Sequence, residues 1–234
     1  MNYLNYEKLA SIETDAFRHQ RPYPWINPAG VLTEAGYRRL LETQPDLPLF
    51  EANFGKQRAH GQRSHDRYTL EYREDLEVAQ PWKDFVAELK GQPYLGFLKR
   101  LFAVRTLALN FHWHYTPSGC VVSPHCDARH KLGSHIFYLN TPQDWDPDWG
   151  GETLVLDDGG RLSCKSAPAF DDFERIVRSE TLGNCSLLFA RTDHSWHGVN
   201  EIRCPQGALR KVFIVVANRA DPVTRLKRLF KRVA

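Results

Sequence analysis

The sequence has 234 residues, enough for one domain with a substantial core, and its 42% apolar and 25% charged residues are ordinary for globular proteins. The five cysteines are odd in number and form no CxxC pair, which excludes a zinc ribbon and a disulfide framework and favours reduced thiols in the cytoplasm. No apolar run approaches the roughly 18 residues of a membrane span. The first residues lack a basic segment followed by an apolar one, so no secretory signal is expected.

The net charge of +3 is unevenly distributed. Residues 221–234 sum to +4 and the rest of the chain to −1, so the main body is not a nucleic-acid binder by composition. A local basic run does occupy 56–67. Apolar residues in 223–233 share one helical face surrounded by basic residues. Docking of this helix on the domain is favoured over peripheral contact with an anionic membrane, and the oligomeric state is left open.

The first half of the chain is predicted to be mostly helical. Residues 1–30 are rich in aromatic residues and proline and are expected to be irregular. Apolar residues spaced three and four apart predict helices over 32–44, 81–90 and 95–102. Between the first two of these helices, 68–72 predicts a short strand.

After residue 105 the pattern changes to alternation and short apolar runs, separated by turn sequences such as TPSG and CPQG. This pattern predicts strands at 106–115, 119–124, 134–140, 152–157, 180–182, 185–190, 196–202 and 209–218. Many short strands at close spacing indicate a β-sandwich or barrel with the helices outside one sheet. The polar segment 158–179 is expected to be a mobile loop over a pocket.

A candidate metal site begins at His125 and Asp127. Residues two apart on an extended chain point to the same side, so this imidazole and carboxylate converge. His197 is the best third ligand. Two histidines and one carboxylate leave three open positions on an octahedral iron, enough for a bidentate cosubstrate and oxygen.

An HxD pair alone is a weak signal, and other histidines lie nearby in the sequence. The others are expected to be core, hydrogen-bonded or surface residues: His112, His114, His130, His135 and His194. Cys126 points away from the two ligands and is expected to be a buried apolar residue.

Arg210 begins a strongly apolar strand, RKVFIVV, and such a charge needs an anionic partner. A guanidinium is suited to a carboxylate held by two hydrogen bonds. A solvent-exposed arginine at a strand end is the alternative.

Residues 106–218 resemble the Fe(II)- and 2-oxoglutarate-dependent oxygenases of the prolyl-4-hydroxylase-like branch. The family's sequence elements occur in family order: the Tyr/Gly element YTPSG at 115–119, HCD at 125–127, IFYLN at 136–140, W…GGETL from 145 to 154, HGV at 197–199, and CP…RK from 204 to 211. Together these six elements are far more specific than any one of them.

The resemblance implies a mainly β fold, a double-stranded β-helix or jelly roll, with N-terminal helices. It implies that one oxygenase domain spans 1–234, divided into a mostly helical support region at 1–104, a jelly-roll catalytic core at 105–219 and a basic tail at 220–234.

The resemblance also implies roles for individual residues. His125, Asp127 and His197 would ligate Fe(II), and Arg210 would bind the far carboxylate of 2-oxoglutarate. Three further residues would contribute to the cosubstrate pocket: Tyr138, Tyr115 and, with less support, Lys131.

The implied reaction is hydroxylation of a C–H bond by O2, with release of succinate and CO2 and with ascorbate as an expected stimulant. The substrate is a small molecule or a peptidyl residue, and the local positive charge slightly favours an anionic one. One departure is Val212, where the family often has Ser or Thr, so Lys211 stays open as an alternative carboxylate partner.

Two other functions compete with this one. The basic run at 56–67 suggests an AlkB-like nucleic-acid demethylase, but the expected Asn-x-Tyr and RxNxT motifs are absent from the corresponding strands, so a nucleic-acid partner is not favoured. A catalytically silent jelly roll that binds a ligand is the non-enzymatic alternative.

Overall fold

The computed structural model describes residues 1–220. No helix within this part of the chain is long and apolar enough to cross a membrane. The tail at 221–234 lies outside the described residues, so the helix and membrane contact considered for 223–233 stay predictions.

The five α-helices of the described part all precede residue 105. They are α1 (Tyr6–Ala10), α2 (Thr14–His19), α3 (Glu34–Glu42), α4 (Gln80–Leu89) and α5 (Gln92–Phe102). Side chains define several of their starts: the Thr33 hydroxyl accepts a hydrogen bond from the amide of Gly36 at 3.1 Å, and α4 and α5 each have proline in the first turn.

Eleven strands between residues 1 and 220 form two antiparallel sheets. The strands are β1 (Trp25–Ile26), β2 (Glu51–Asn53), β3 (Arg67–Glu71), β4 (Leu107–Thr116), β5 (Val122–His125), β6 (Lys131–Tyr138), β7 (Leu154–Asp157), β8 (Arg175–Arg178), β9 (Ser186–Ala190), β10 (His197–Val199) and β11 (Arg210–Arg219). The major sheet has the order β1-β9-β6-β11-β4-β3-β2, and the minor sheet has the order β5-β10-β7-β8. The predicted jelly roll with N-terminal helices is confirmed.

The outer face of the major sheet carries the hydrophobic core. Trp113 of β4 and Phe213 of β11 are fully buried and pair directly across the two strands. Their rings contact Trp82 of α4 at centroid distances of 5.1 Å each. The helices therefore cover one face of this sheet through aromatic packing, and the opposite face is left for the space between the sheets.

The inner face of the major sheet is polar at its centre. His112 and His114 alternate with the aromatic residues of β4 and point between the sheets. The minor sheet covers this face and leaves a cavity of about 470 Å³ between the two layers. This cavity holds the candidate site.

Three predictions of local structure need correction. Residues 1–30 contain α1, α2 and the short strand β1, which pairs with β9. The strand predicted at 180–182 is instead β8, a few residues earlier, and it pairs with β7. The segment 158–179 is therefore not a loop throughout, because it ends in a strand at the edge of the minor sheet.

Two glycines offer a matched test of packing. A Cβ on Gly133 of β6 would lie 2.7 Å from the Phe102 ring and still closer to the carbonyl oxygen of Phe189. Gly133→Ala should therefore lower the free energy of unfolding by about 3 kcal/mol, at the upper end of overpacking costs. On Gly96 of α5 a Cβ would meet nothing within 4 Å. Gly96→Ala should stabilise the protein by about 0.5–1 kcal/mol through helix propensity. Urea unfolding of the two variants measures both, and equal destabilisation would contradict this packing.

Candidate metal centre and cosubstrate site

The two sheet strands β5 and β10 bring the predicted triad together. His125 ends β5, His197 begins β10, and the antiparallel register places them directly opposite each other. Their ring centroids are 4.3 Å apart. Asp127 follows two residues after His125, and one ligand atom from each of the three side chains lies within 4.8 Å of the others. Within residues 1–220 these are the residues grouped closely enough to hold a metal ion.

Hydrogen bonds to the backbone fix both histidine rings in the same tautomer. Nδ1 of His125 lies 3.0 Å from the carbonyl oxygen of Ser123, and Nδ1 of His197 lies 2.9 Å from that of Ser195. Because a carbonyl oxygen only accepts, each Nδ1 carries the proton and donates it. Each Nε2 is then left with a free lone pair, which is the form that binds a metal.

The carboxylate of Asp127 is held from two sides. Lys131 donates to Oδ1 at 2.6 Å, and the hydroxyl of Ser134 donates to Oδ2 at 3.1 Å. The guanidinium of Arg191 donates to the backbone carbonyl of Asp127 at 3.0 Å. These contacts orient the carboxylate before any ligand binds, and Ser134 and Arg191 carry no motif by which the sequence could reveal their role.

The electrostatics of the triad favour the protonation states that bind a metal. Burial, the largest effect, raises the pKa of Asp127, but the ammonium of Lys131 and the neighbouring rings of His197 and His125 together outweigh burial, and the net pKa is far below the usual carboxyl range. Burial lowers the pKa of His125 and of His197. The site therefore presents an ionised carboxylate and neutral imidazoles at neutral pH.

These donors fit an Fe(II) ion. Two neutral imidazoles and one carboxylate on one side of a cavity form the facial set that non-haem iron oxygenases use. The remaining coordination positions would face the cavity.

Arg210 begins β11 and points into the same cavity. The side chain is 7% exposed, Nε donates to the carbonyl oxygen of Gly151, and Nη2 lies 3.2 Å from the hydroxyl of Thr153. Within the described residues no carboxylate forms an ion pair with it. Burial lowers the pKa of Arg210, and the opposing influences of Tyr138 and Glu152 are weaker, so this cation is held in a desolvated place. Such a group is suited to an anionic ligand.

The neighbouring Lys211 does not share this position. Its side chain points to the opposite face of β11, where Nζ lies 3.4 Å from Asp144. Val212 lines the cavity, as does Thr153, which bonds to Arg210. Thr153, the residue directly before β7, therefore places a hydroxyl next to the Arg210 guanidinium. Val212 has no hydroxyl and cannot do so. Thr153 belongs to the GGETL element, but its contact with Arg210, 57 residues away, could not be predicted from that element.

The two tyrosines predicted for the cosubstrate pocket occupy different places. The Tyr138 ring lies 5.8 Å from the Arg210 guanidinium carbon, and its hydroxyl bonds to Thr153 at 2.9 Å and Ser179 at 2.8 Å. Tyr115 lies on the opposite face of β4, where its ring stacks on Phe50 at 4.3 Å. The prediction that Tyr115 lines the cavity is therefore corrected: it is a core residue.

Lys131 lines the cavity as predicted, but its ammonium is paired with Asp127. A direct contact between Lys131 and a cosubstrate would have to compete with this 2.6 Å ion pair. Its placement favours a role in positioning the carboxylate.

The other histidines lie outside the group of candidate metal ligands in the described part of the chain. His112, His114 and His130 line the cavity. His135 is a core residue whose Nδ1 lies 2.9 Å from the Tyr94 hydroxyl, and His194 pairs with Asp158. Cys126 is partly buried, its thiol lies near the carbonyl of Asp193, and it is not among the residues that line the cavity.

No protein-family model matches the sequence, and no curated protein matches it. Solved structures do share its fold. A prolyl-4-hydroxylase from Pseudomonas putida has a TM-score of 0.65 and 18% identity, over 91% of this chain and 100% of that chain. A prolyl hydroxylase from Trichoplax adhaerens, in complex with a hypoxia inducible factor peptide fragment, has a TM-score of 0.61 and 13% identity, over 91% and 90%. EvdO2 from Micromonospora carbonacea var. aurantiaca, complexed with 2-oxoglutarate, has a TM-score of 0.55 and 14% identity, over 95% and 97%.

The chain therefore has the fold of the prolyl-4-hydroxylases and of other 2-oxoglutarate-dependent oxygenases. The resemblance predicted from the order of motifs is confirmed at the level of the fold, and it extends over the N-terminal half, where the motifs gave no indication.

Buried histidines should make stability depend on pH. Burial lowers the pKa of His135 to about 3, whereas an unfolded histidine titrates near about 6.5. At a pH between these two pKa values, the histidine binds a proton in the unfolded chain but not in the folded chain. The free energy of unfolding should therefore fall by roughly 1.4 kcal/mol per pH unit for each such histidine as the pH drops below about 6.

Urea unfolding of metal-free protein at several pH values measures this dependence. His135→Gln should make the slope shallower by about one proton, whatever its effect on stability at neutral pH. The same slope in wild type and variant would show that His135 is not held neutral.

Proposed function

We propose that this protein is an Fe(II)- and 2-oxoglutarate-dependent dioxygenase that hydroxylates a C–H bond of a small-molecule or peptidyl substrate, with release of succinate and CO2. The observation that carries the proposal is the position of Arg210, which lines the same cavity as His125, Asp127 and His197. The cavity thus contains a triad that could hold a metal and a buried guanidinium without an ion pair in the described part of the chain. 2-Oxoglutarate fits both, because its keto acid end can chelate the metal and its far carboxylate can bind the guanidinium.

The chain's own residues would divide the work. His125, Asp127 and His197 hold the iron, and Arg210, with the hydroxyl of Thr153 beside it, binds the far carboxylate of 2-oxoglutarate. Bound iron and 2-oxoglutarate together would activate O2 for oxidation of the substrate. Lys131 and Ser134 keep the carboxylate of Asp127 ionised and oriented, and the apolar side chains of the cavity wall exclude bulk water.

Two of the structural neighbours support the finer parts of the proposal. The Micromonospora protein binds 2-oxoglutarate in the same fold, which supports this cosubstrate. The Trichoplax protein binds a peptide, which supports keeping peptidyl substrates among the candidates. We further propose that residues 1–104 support the catalytic core, because α4 and α5 cover the outer face of its major sheet.

The alternatives from the sequence have less support. Within the basic run, Arg58 and Arg67 line the cavity. They therefore do not form an open stripe for a nucleic-acid backbone. A catalytically silent jelly roll has no need for three preoriented ligands and a buried arginine, which are costly to maintain without a bound partner.

Anaerobic addition of Fe(II) and 2-oxoglutarate should give a weak visible charge-transfer band. His125→Ala should abolish the band because it removes a ligand, whereas His19→Ala, an exposed histidine on α2, should leave it unchanged. A wild-type protein without the band, or a band that survives in His125→Ala, would overturn the assignment. A band without succinate formation under O2, with any substrate offered, would favour the silent binding protein.

The same band tests which cation binds the cosubstrate. Arg210→Met should weaken the affinity for 2-oxoglutarate by at least about tenfold, because a charge-assisted hydrogen-bond pair contributes about 1.5–3 kcal/mol. Lys211→Met changes the adjacent residue on the other face of β11 and should leave the affinity within about twofold. The opposite order of effects would assign the carboxylate to Lys211.

A further inference from the structure

The cavity contains more positive charge than the proposed reaction uses. Its lining includes four lysine or arginine side chains and a single carboxylate, that of Asp127. Lys131 is paired with Asp127, and Arg210 is assigned to 2-oxoglutarate. Arg58 and Arg67 remain, and neither the metal site nor the cosubstrate site accounts for them.

Neither remaining guanidinium is neutralised within residues 1–220. The Nε atoms of Arg58 and Arg67 are both buried without a hydrogen-bond partner, and neither side chain forms an ion pair. Arg67 donates from Nη1 to the carbonyl of His65 at 2.6 Å, which fixes its direction but does not balance its charge. The closest acidic influence on Arg67 is Asp66, whose carboxylate already accepts from the amide of Gly55 at 2.8 Å.

Desolvation dominates the environment of both side chains. Burial lowers the pKa of Arg58 and of Arg67, and the weaker opposing influences of Asp127 and Asp66 do not restore it. Two partly buried, unpaired cations on one cavity wall repel each other and cost free energy. An anion placed between them would remove both costs.

The position of these arginines is next to the reacting centre. His65, whose carbonyl holds Arg67, has its ring centroid 4.5 Å from that of the proposed iron ligand His125. Arg58 and Arg67 also line a second cavity of about 530 Å³. They therefore lie at the junction between the cavity that holds the triad and this second cavity.

We propose that the substrate carries an oxyanion group, a carboxylate or a phosphate, and that Arg58 and Arg67 hold this group at the junction of the two cavities. The inference rests on the proposed dioxygenase function, because it takes the inner cavity as the place of reaction. Planar guanidinium groups bind such oxyanions through paired hydrogen bonds, which would orient the substrate toward the triad. The enclosed position suits the acidic group of a small molecule or side chain better than a continuous polyanion.

Binding of two probe anions tests the assignment. Methyl phosphate and acetate are titrated, by calorimetry at constant ionic strength, into anaerobic protein saturated with Fe(II) and 2-oxoglutarate, so that Arg210 is already occupied. Saturable binding of one probe is expected, and the tighter one identifies the oxyanion class. Arg58→Gln and Arg67→Gln should each weaken its binding by about tenfold or more.

The matched control is Arg63→Gln, a change in the same basic run at a residue that lines neither cavity. It should leave probe binding unchanged. Arg58→Lys and Arg67→Lys should restore part of the affinity, which separates a charge effect from misfolding. Equal binding by wild type, Arg58→Gln and Arg67→Gln, or an equal loss in Arg63→Gln, would overturn the proposal. So would a single-stranded oligonucleotide that binds more tightly than either probe and depends equally on all three arginines.

The visible band distinguishes failure of the proposed oxyanion site from failure of the proposed dioxygenase function. The band is expected to persist in Arg58→Gln and Arg67→Gln, because neither residue belongs to the triad. A normal band with no probe binding in wild type would overturn the oxyanion site and leave the dioxygenase function standing. Absence of the band in wild type would overturn the proposed function, and the probe titration would then still decide whether the two arginines form an anion site.

Discussion

The alternation of side chains along β4 and β11 is the constraint on which the rest of the structure depends. The two strands pair over their whole lengths, and the register places Phe213 opposite Trp113 and Arg210 opposite Thr116. Aromatic side chains therefore meet aromatic side chains on the face covered by the helices, while polar ones meet on the cavity face. A shift of one residue would move the guanidinium of Arg210 into the aromatic core and expose Phe213 to the cavity. The packing of the core thus sets the position of the candidate site.

The burial of charge is what distinguishes this cavity from an ordinary space between two sheets. Asp127 is ionised because the ammonium of Lys131 lies 2.6 Å from its carboxylate, and this positive charge balances the carboxylate. Arg210 has no such balance, since the hydrogen bonds that it donates to the carbonyl oxygen of Gly151 and to the hydroxyl of Thr153 orient the guanidinium but do not neutralise its charge. A dianionic cosubstrate that reaches from the metal to Arg210 would supply the missing charge at one end of the cavity. The electrostatic imbalance therefore supports the same ligand as the coordination geometry does.

Whether a helix or strand could be predicted from the sequence depended on its length and on the periodicity of its apolar residues. A long alternating segment predicted β4 and a continuous apolar run predicted β11, and alternation also placed His125 and Asp127 on one side of the chain. The helices α1 and α2, of five and six residues, are too short for a helical period to show. The mostly exposed strand β8 has no apolar face that a pattern could reveal.

Errors at the site have a different physical origin. Tyr115 was placed in the cavity by its position within a motif, yet strand alternation assigns its neighbours His114 and Thr116 to that face instead. The position of the Thr153 hydroxyl beside Arg210 depends on a contact between distant segments, which no local pattern encodes. The ion pair of Lys131 with Asp127 joins residues only four apart, but it depends on the conformation of the turn between them. Sequence order could identify the kind of site, but the partners that set its charge required the fold.

The proposed metal and cosubstrate site and the proposed substrate-binding arginines lie on different parts of the fold. The triad and Arg210 lie on β5, β10 and β11 or directly beside them, within the two sheets. Arg67 begins β3, and Arg58 lies in the irregular segment before it, at the β2–β3 edge of the major sheet. These two parts are joined through hydrogen bonds, because the His65 that holds Arg67 also bonds from Nε2 to the hydroxyl of Ser123 at 3.1 Å, and the carbonyl of Ser123 fixes the ring of His125. Substitutions in the edge segment could thus alter which anion is held without removing a metal ligand, while the short chain of contacts keeps the held group in a defined place relative to the iron.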